Sequence, residues 1–167
     1  MTPQDARTIA DFLIGNLEME IGTTVNVFNA VPPDRQAYRP DATTRSAIDL
    51  LRHITVEDEW LLQSVIDGAF TPPPDDSEKC GVMNASDAVA RYQARMSALI
   101  ATLRAMPGDA YLKMLEFGPM KMPAIQVLAM TLRHSAHHRG QLSTYLRSMG
   151  ARVPAIYGPS GDVRWDS

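Results

Sequence analysis

Residues 123–150 read "PAIQVLAMTLRHSAHHRGQLSTYLRSMG" and carry the clearest helical pattern of the chain. Apolar residues recur every three or four positions, which is the period of one face of an α-helix. Pro123 suits a first helical position because its fixed φ is compatible with a helix, and Gly150 suits the position just past the end. The segment therefore predicts a long amphipathic helix whose apolar face packs against other helices.

The first helix is expected to begin at the N-terminus. Thr2 is a good cap, Pro3 fits the first helical position, and Asp5 stands where the acid of a capping box belongs. The prolines of "VPPD" at 31–34 end the helix because proline cannot continue the backbone hydrogen-bond ladder. Its predicted apolar stripe comprises Ile9, Leu13, Leu17, Ile21 and Phe28.

Two more helices are predicted between these. One covers about 44–69, and the next begins at the cap Ser86 and ends before "PG" at 107–108. Residues 109–122 alternate loosely between polar and apolar, and "GP" at 118–119 indicates a turn, so a short extended excursion is expected there.

Four amphipathic helices joined by polar, turn-rich connections predict an all-α protein, an antiparallel four-helix bundle. The length of 167 residues favours one domain spanning 1–167. The tail at 151–167 is rich in turn formers and carries two aromatics. We expect it to be irregular and to pack across the helices.

Composition excludes several classes of protein. A net charge of −3 argues against a nucleic-acid-binding surface. The single cysteine, Cys80, cannot form an internal disulfide, and a partly buried hydrophobe is its expected role. The N-terminus lacks the pattern of a signal peptide, and no apolar run approaches the roughly 20 residues that cross a bilayer. These features predict a cytoplasmic protein with no membrane partner.

The four histidines suggest a site. His134 and His138 are four residues apart and share one helical face, so both rings can reach one point. His137 lies about 100° around the helix from His138, which makes it a surface or interface residue. His53 lies near the apolar stripe of the second helix and is the candidate third partner. The alternative is that the histidines are ordinary hydrogen-bonded or solvated side chains.

Three neutral imidazoles suit zinc, nickel, iron or copper better than magnesium or calcium. Three protein ligands leave a coordination position open, which is the arrangement of a catalytic rather than a structural metal site. The spacing alone leaves metal binding and simple helix packing both open.

Three segments resemble the DinB/YfiT-like family of metal-dependent bundle proteins: "YRPDATTRSAIDLLRHI" at 38–54, "HHRGQL" at 137–142 and "GARVPAIYGPSGD" at 150–162. By position, the resemblance implies that the metal ligands are His53, His134 and His138. It also implies an up-down-down-up topology with a long crossover, and a homodimer. Zinc or nickel is the favoured metal, with iron and manganese as alternatives.

The family includes thiol transferases that use bacillithiol or mycothiol, and a maleylpyruvate isomerase. The resemblance thus implies a metal-dependent enzyme, similar to a thiol S-transferase, in which a low-molecular-weight thiol cosubstrate attacks a small-molecule electrophile. The alternatives are a non-catalytic metal- or ligand-binding protein of the stress response, and a metal-dependent hydrolase.

Several residues are weaker candidates for supporting roles. Glu57, one turn after His53, is a candidate catalytic acceptor or proton carrier, although the charge run "EDE" at 57–59 favours a solvated face. Gln141 and Tyr145 are expected to line the pocket. Arg139 could hold an acidic substrate, but a surface or dimer salt bridge is favoured. The residues expected in the core or in an adaptable pocket wall are Trp60, Met114, Met120 and Met122.

Overall fold

The computed structural model of the chain describes residues 1–164. Within that range it contains four long helices: α1 Pro3–Asn29, α2 Ala47–Asp67, α3 Ala85–Ala105 and α4 Ala124–Ser148. Three short 3-10 helices lie in the connections, at Pro33–Arg35, Glu78–Cys80 and Gly108–Leu112. The predicted all-α four-helix bundle is confirmed.

The helix ends follow local capping chemistry. Thr2 and Asp5 form the predicted capping box at the start of α1. Helix α2 is shorter than predicted at both ends because Ser46 caps it, with Asp49 completing a second capping box, and Gly68 ends it in the left-handed region at φ 65°. Glycine is the residue that adopts this conformation without a steric cost.

The start of α3 differs from the prediction. Asn84, rather than Ser86, is the cap, and its side chain accepts the backbone N–H of Asp87. Both residue types cap well. The carboxylate of Asp87 also accepts the backbone N–H of Met83, which supports the helix start at Asn84. Pro123 occupies the N-cap position of α4, without a side-chain cap hydrogen bond, rather than the first helical position.

Contacts across the bundle define its topology. Helix α2 runs antiparallel to α4, since Arg45 just before α2 meets Tyr145 near the end of α4. It runs parallel to α3, since Arg52 reaches Val82 ahead of α3. Helix α1 packs on α3 and α4. Residues 68–84 are therefore a long crossover, and the predicted up-down-down-up order is confirmed.

The buried face of α1 agrees with the predicted stripe at Leu17 and Phe28 and differs from it at the N-terminal end of the helix. Ala6, Ala10 and Ile14 are fully buried, whereas Ile9 is 41% exposed. One residue of displacement turns a helix face by about 100°. The predicted stripe is therefore wrong at Ile9, and it omits the buried Ala6, Ala10 and Ile14.

The predicted extended excursion is a two-stranded antiparallel hairpin, β1 Met114–Phe117 and β2 Met120–Pro123. Gly118 turns the chain at φ 55°. Strand alternation places Leu115 in the core and sends Met114 and Met120 outward, 47% and 40% exposed. The expectation of a core or pocket-wall position is wrong for these two, while Met122 does pack against the core.

The irregular tail crosses the helices as expected. Val153 and Ile156 pack against the core, and Tyr157 donates a hydrogen bond to Glu20 of α1 at 3.1 Å. The second tail aromatic, Trp165, lies outside the described residues. In the part of the chain that the structure describes, no helix is long and apolar enough to span a membrane.

Candidate metal centre

The three predicted histidines meet between α2 and α4. The Nε2 atom of His53 lies 3.2 Å from the Nε2 atoms of both His134 and His138. His134 and His138 share one face of α4 because they are four residues apart. His53 faces them because α2 and α4 are adjacent and antiparallel.

These separations suit a metal ion. Two nitrogens bound at about 2.0–2.1 Å to a tetrahedral centre are roughly 3.3 Å apart. The distances from Nε2 of His53 to the other two nitrogens thus already match the ligand spacing of a tetrahedral metal, and the ligand atoms of all three residues lie within 4.8 Å of one another. The three histidines form a group that could hold a metal ion.

The outward nitrogen of each ring has an oxygen partner. Nδ1 of His53 lies 2.9 Å from Asp76, Nδ1 of His134 lies 2.8 Å from Asp58, and Nδ1 of His138 lies 2.7 Å from the amide oxygen of Gln141. A carboxylate only accepts hydrogen bonds, so these partners favour Nδ1–H and leave a lone pair on Nε2. Metal-binding histidines in proteins are usually held in this way.

Asp58 is the centre of a buried network. It is fully buried and accepts hydrogen bonds from three groups: the ring of His134, the hydroxyl of Tyr92 at 2.9 Å and the hydroxyl of Ser135. Burial, followed by the nearby Asp58 charge, raises the pKa of Tyr92 well above its ordinary value. Tyr92 therefore stays protonated and acts as a permanent donor, which fixes Asp58 against the ring.

Asp76 connects the site to a cation. One of its carboxylate oxygens contacts both Nδ1 of His53 and the guanidinium of Arg45, the latter at 2.7 Å. Asp76 lies on the crossover between α2 and α3, so this loop contributes directly to the site.

The electrostatic environment keeps two of the rings neutral. Burial lowers the pKa of His138 to about 4, and the neighbouring histidines add to the effect. Burial, together with the charge of Arg45, also lowers the pKa of His53. Neutral imidazoles are the form that binds metal, so these rings are ready ligands at neutral pH.

The weaker candidates differ in their distance from the histidine group and in their burial. Gln141 and Tyr145 line a cavity of about 160 Å³ beside His138. Glu57 is half-buried, and burial raises its pKa, with opposing influence from nearby His134. His137 is exposed and lies outside the three-histidine group, although its ring centroid is 4.7 Å from that of His138.

The solvated-face interpretation of "EDE" at 57–59 is wrong. Asp58 is fully buried, and Glu59 pairs with Arg91 and Arg95 of α3. Successive helical residues point about 100° apart, so a run of three charges cannot share one environment. The same geometry offered a signal for Asp58, since it is one turn after Ile54 on the buried face of α2.

The favoured interpretation of Arg139 is also wrong. Arg139 is 1% exposed and pairs with Glu20 of α1 at 2.5 Å, rather than lying at the surface. It also donates to Thr24 and Tyr157. Arg139 therefore ties α4 to α1 and the tail, and a substrate cannot reach it.

Two further side chains lie away from the histidines. Cys80 is half-buried and packs against the core, as expected. Trp60 is half-buried and packs against Phe70 in a tilted arrangement and against Phe117 edge-on, with ring centroids 5.2 and 5.5 Å away. These three aromatic rings join α2, the crossover and the hairpin.

The fold and the histidine group together define a class of protein, the up-down-down-up helical bundle with a three-histidine candidate metal centre between two helices. The chain belongs to the DinB family, which it matches over residues 13–163. It is 25% identical to YrdA of Bacillus subtilis over 153 residues, covering 90% of this chain and 89% of that protein. It is 22% identical to YjoA of Bacillus subtilis over 120 residues, covering 72% and 77% respectively.

Solved structures agree on the fold. The crystal structure of the DinB-like protein YjoA from Bacillus subtilis has a TM-score of 0.69 at 18% identity, covering 86% of this chain and 96% of YjoA. A DinB-like protein from Bacillus cereus has a TM-score of 0.73 at 18% identity, with 87% and 95% covered. At this identity the likeness establishes the architecture alone.

Proposed function

We propose that His53, His134 and His138 bind one divalent metal ion, with zinc or nickel favoured and iron or manganese as alternatives. The observation that carries the proposal is that the three Nε2 atoms converge, while the Nδ1 atom of each ring already has a hydrogen-bond partner. Three lone pairs aimed at one point repel one another, and a bound cation converts that repulsion into attraction.

We further propose that the chain is a thiol transferase-like enzyme acting on a small-molecule electrophile. When bound, the metal supplies a positive charge that keeps a coordinated low-molecular-weight thiol deprotonated at neutral pH. The support is the open coordination position that three protein ligands leave, the cavity beside His138, and the resemblance of residues 38–54 and 137–142 to the family's motifs.

The residues of the chain would divide the remaining work. Asp58, Asp76 and Gln141 hold the three rings in one tautomer. To Glu57, which is half-buried one turn after His53 and whose pKa is raised by burial, we assign the role of taking the thiol proton and passing it to water. The sulfur electron pair then forms the bond to the electrophile, and the leaving group departs with the electrons of the bond that breaks.

Metal content tests the site. Untagged protein should contain about one equivalent of metal per chain by plasma mass spectrometry, and His138→Ala should contain almost none. His137→Ala is the matched control, because it removes the adjacent, exposed ring and should retain the metal. No metal in the parent protein after reconstitution, or equal loss in both variants, would refute the site.

Spectroscopy and turnover test the reaction. Thiols should shift the d–d bands of the cobalt-substituted protein and should be conjugated to monochlorobimane at a metal-dependent rate. A spectral shift without turnover would indicate a non-catalytic ligand-binding protein, the stress-response alternative. Metal-dependent hydrolysis of ester substrates without any thiol effect would favour the hydrolase.

We propose that this enzyme works as a cytoplasmic homodimer. The support is the family resemblance and the apolar exposure of α1, where Phe12 and Met19 are each 70% exposed and lie seven residues, or about two turns, apart. Light scattering should give a mass of two chains, and Phe12→Glu should shift it toward one. A monomeric parent protein at micromolar concentration would contradict the proposal.

A further inference from the structure

A cavity of about 160 Å³ extends from the histidine group toward the start of α2. It is lined by Thr44, Arg45, Leu50, His138, Gln141 and Tyr145. We infer that this cavity is a subsite for a carboxylate group of the substrate, which Arg45 and Gln141 bind. The inference rests on the proposed function, because it names the class of substrate that the metal site would receive.

Arg45 is held in place but retains unused donors. One of its guanidinium nitrogens donates to Asp76 at 2.7 Å, and its backbone carbonyl accepts the hydroxyl of Tyr145 at 3.3 Å. A guanidinium has five N–H donors. Among residues 1–164, Asp76 is the acceptor that the structure gives this side chain, which is 43% exposed. An anion can therefore bind the remaining edge without moving the arginine.

Gln141 adds a second donor. Its amide oxygen accepts from Nδ1 of His138, so its amide nitrogen faces away from that ring with both hydrogens available. In the described part of the chain, no acceptor is assigned to this nitrogen. The cavity thus presents a positive charge and a neutral donor, a combination that recognises an anion rather than a neutral or cationic group.

Size and charge favour a carboxylate over a phosphate. One guanidinium that already balances Asp76 suits a singly charged group better than a dianion. The cavity has room for a carboxylate on a short stem. Gln141 lies about 4.5 Å along α4 from His138, at 1.5 Å per residue. The carboxylate would therefore be only a few bonds from the atom that reacts at the histidine group.

The residue that sequence reasoning offered for acid recognition, Arg139, cannot serve. Its guanidinium is buried and pairs with Glu20 of α1. Arg45 is the better candidate because it lies two residues before α2 and lines the cavity.

Two thiols that differ in one group test the subsite. In the cobalt-loaded protein, 3-mercaptopropionate should bind at least tenfold more tightly than 2-mercaptoethanol, because a charge-assisted hydrogen bond contributes about tenfold or more. Arg45→Gln should reduce the ratio to about one. Arg95→Gln is the matched control, since Arg95 is also a half-exposed arginine paired with an acid, Glu59. It should leave the ratio unchanged.

The ratio of two affinities on one preparation is insensitive to any change in metal affinity that Arg45→Gln causes through Asp76. An equal ratio in the parent protein and Arg45→Gln, or no preference in the parent, would overturn the inference. If neither thiol perturbs cobalt, the proposed thiol chemistry fails. The subsite is then decided by propionate binding to metal-free protein in NMR titrations. Binding lost in Arg45→Gln supports the subsite, and binding that is absent or unaffected overturns it.

Discussion

Replacing Asp58 by asparagine should weaken metal binding with little change in the fold. Asp58 is fully buried and accepts from the ring of His134 at 2.8 Å and from the hydroxyls of Tyr92 and Ser135. Asparagine has the same shape but only one accepting oxygen. The two hydroxyls can rotate to accept its amide hydrogens, so the network survives, whereas the ring loses a negatively charged acceptor.

The size of the effect follows from the role of the carboxylate. Removing such an outer partner of a metal-binding histidine typically costs 10- to 100-fold in metal affinity. This corresponds to about 1.4–2.7 kcal/mol. Asp58→Ala should also lower the free energy of unfolding of the metal-free protein, because the buried hydroxyls of Tyr92 and Ser135 lose their acceptor at about 1–3 kcal/mol each, and the partly buried His134 ring loses its own.

Competition with a chromophoric chelator measures zinc affinity, and chemical denaturation of metal-free protein measures stability. Asp67→Asn is the control, because Asp67 is an exposed acid at the end of the same helix, and it should change neither quantity. Zinc bound by Asp58→Asn as tightly as by the parent protein would show that the carboxylate does not support the ligand, and the reasoning from the Nδ1 partners would fail.

Three further predictions concern stability. Because the pKa of His138 is lowered from 6.5 to about 4 in the folded protein, the unfolded chain binds a proton at a higher pH than the folded chain does. The free energy of unfolding of the metal-free protein should therefore fall as the pH is lowered from 6.5 to about 4. The loss should be about 1–2 kcal/mol after solvent screening of the half-buried ring, and denaturation of His138→Gln, which should show a flatter pH profile, checks it. Gly108→Ala should destabilise by more than about 2 kcal/mol, because a Cβ there would stand 2.0 Å from a backbone oxygen of α1. Gly140→Ala should stabilise by up to about 1 kcal/mol, because its Cβ would meet nothing within 4 Å beyond the local backbone of its own helix; urea titrations that reverse this order would contradict the packing. Arg139→Met should cost about 3 kcal/mol by leaving Glu20 without its buried partner, and an unchanged melting temperature would contradict it.

The sequence predicted the parts of the molecule that depend on local pattern. Helical periodicity and terminal residues such as Thr2 and Gly150 located the four helices. The spacing of His134 and His138 placed two rings on one face, because that relation needs only helix geometry. The third histidine followed from periodicity and from family resemblance together.

The rest depends on long-range packing that local pattern does not contain. Asp76 reaches His53 from a crossover loop, whose path has no periodicity to reveal it. Asp58 was hidden in a run of charges although its helical position is buried. Arg139 seemed a surface residue because its partner, Glu20, lies more than a hundred residues earlier in the chain.

The distribution of buried groups separates folding from metal binding. The apolar core draws on all four helices and includes Ile14, Leu62, Met96 and Leu128, so the bundle has a source of stability independent of any ion. The histidine rings are only partly buried at one side of that core. Helices α2 and α4 are therefore fixed by packing before a cation arrives. Because the outer oxygen partners already orient the rings, little conformational entropy is lost in ordering the ligands when a metal binds. In the metal-free protein the three Nε2 lone pairs repel one another, and a bound cation would relieve that repulsion.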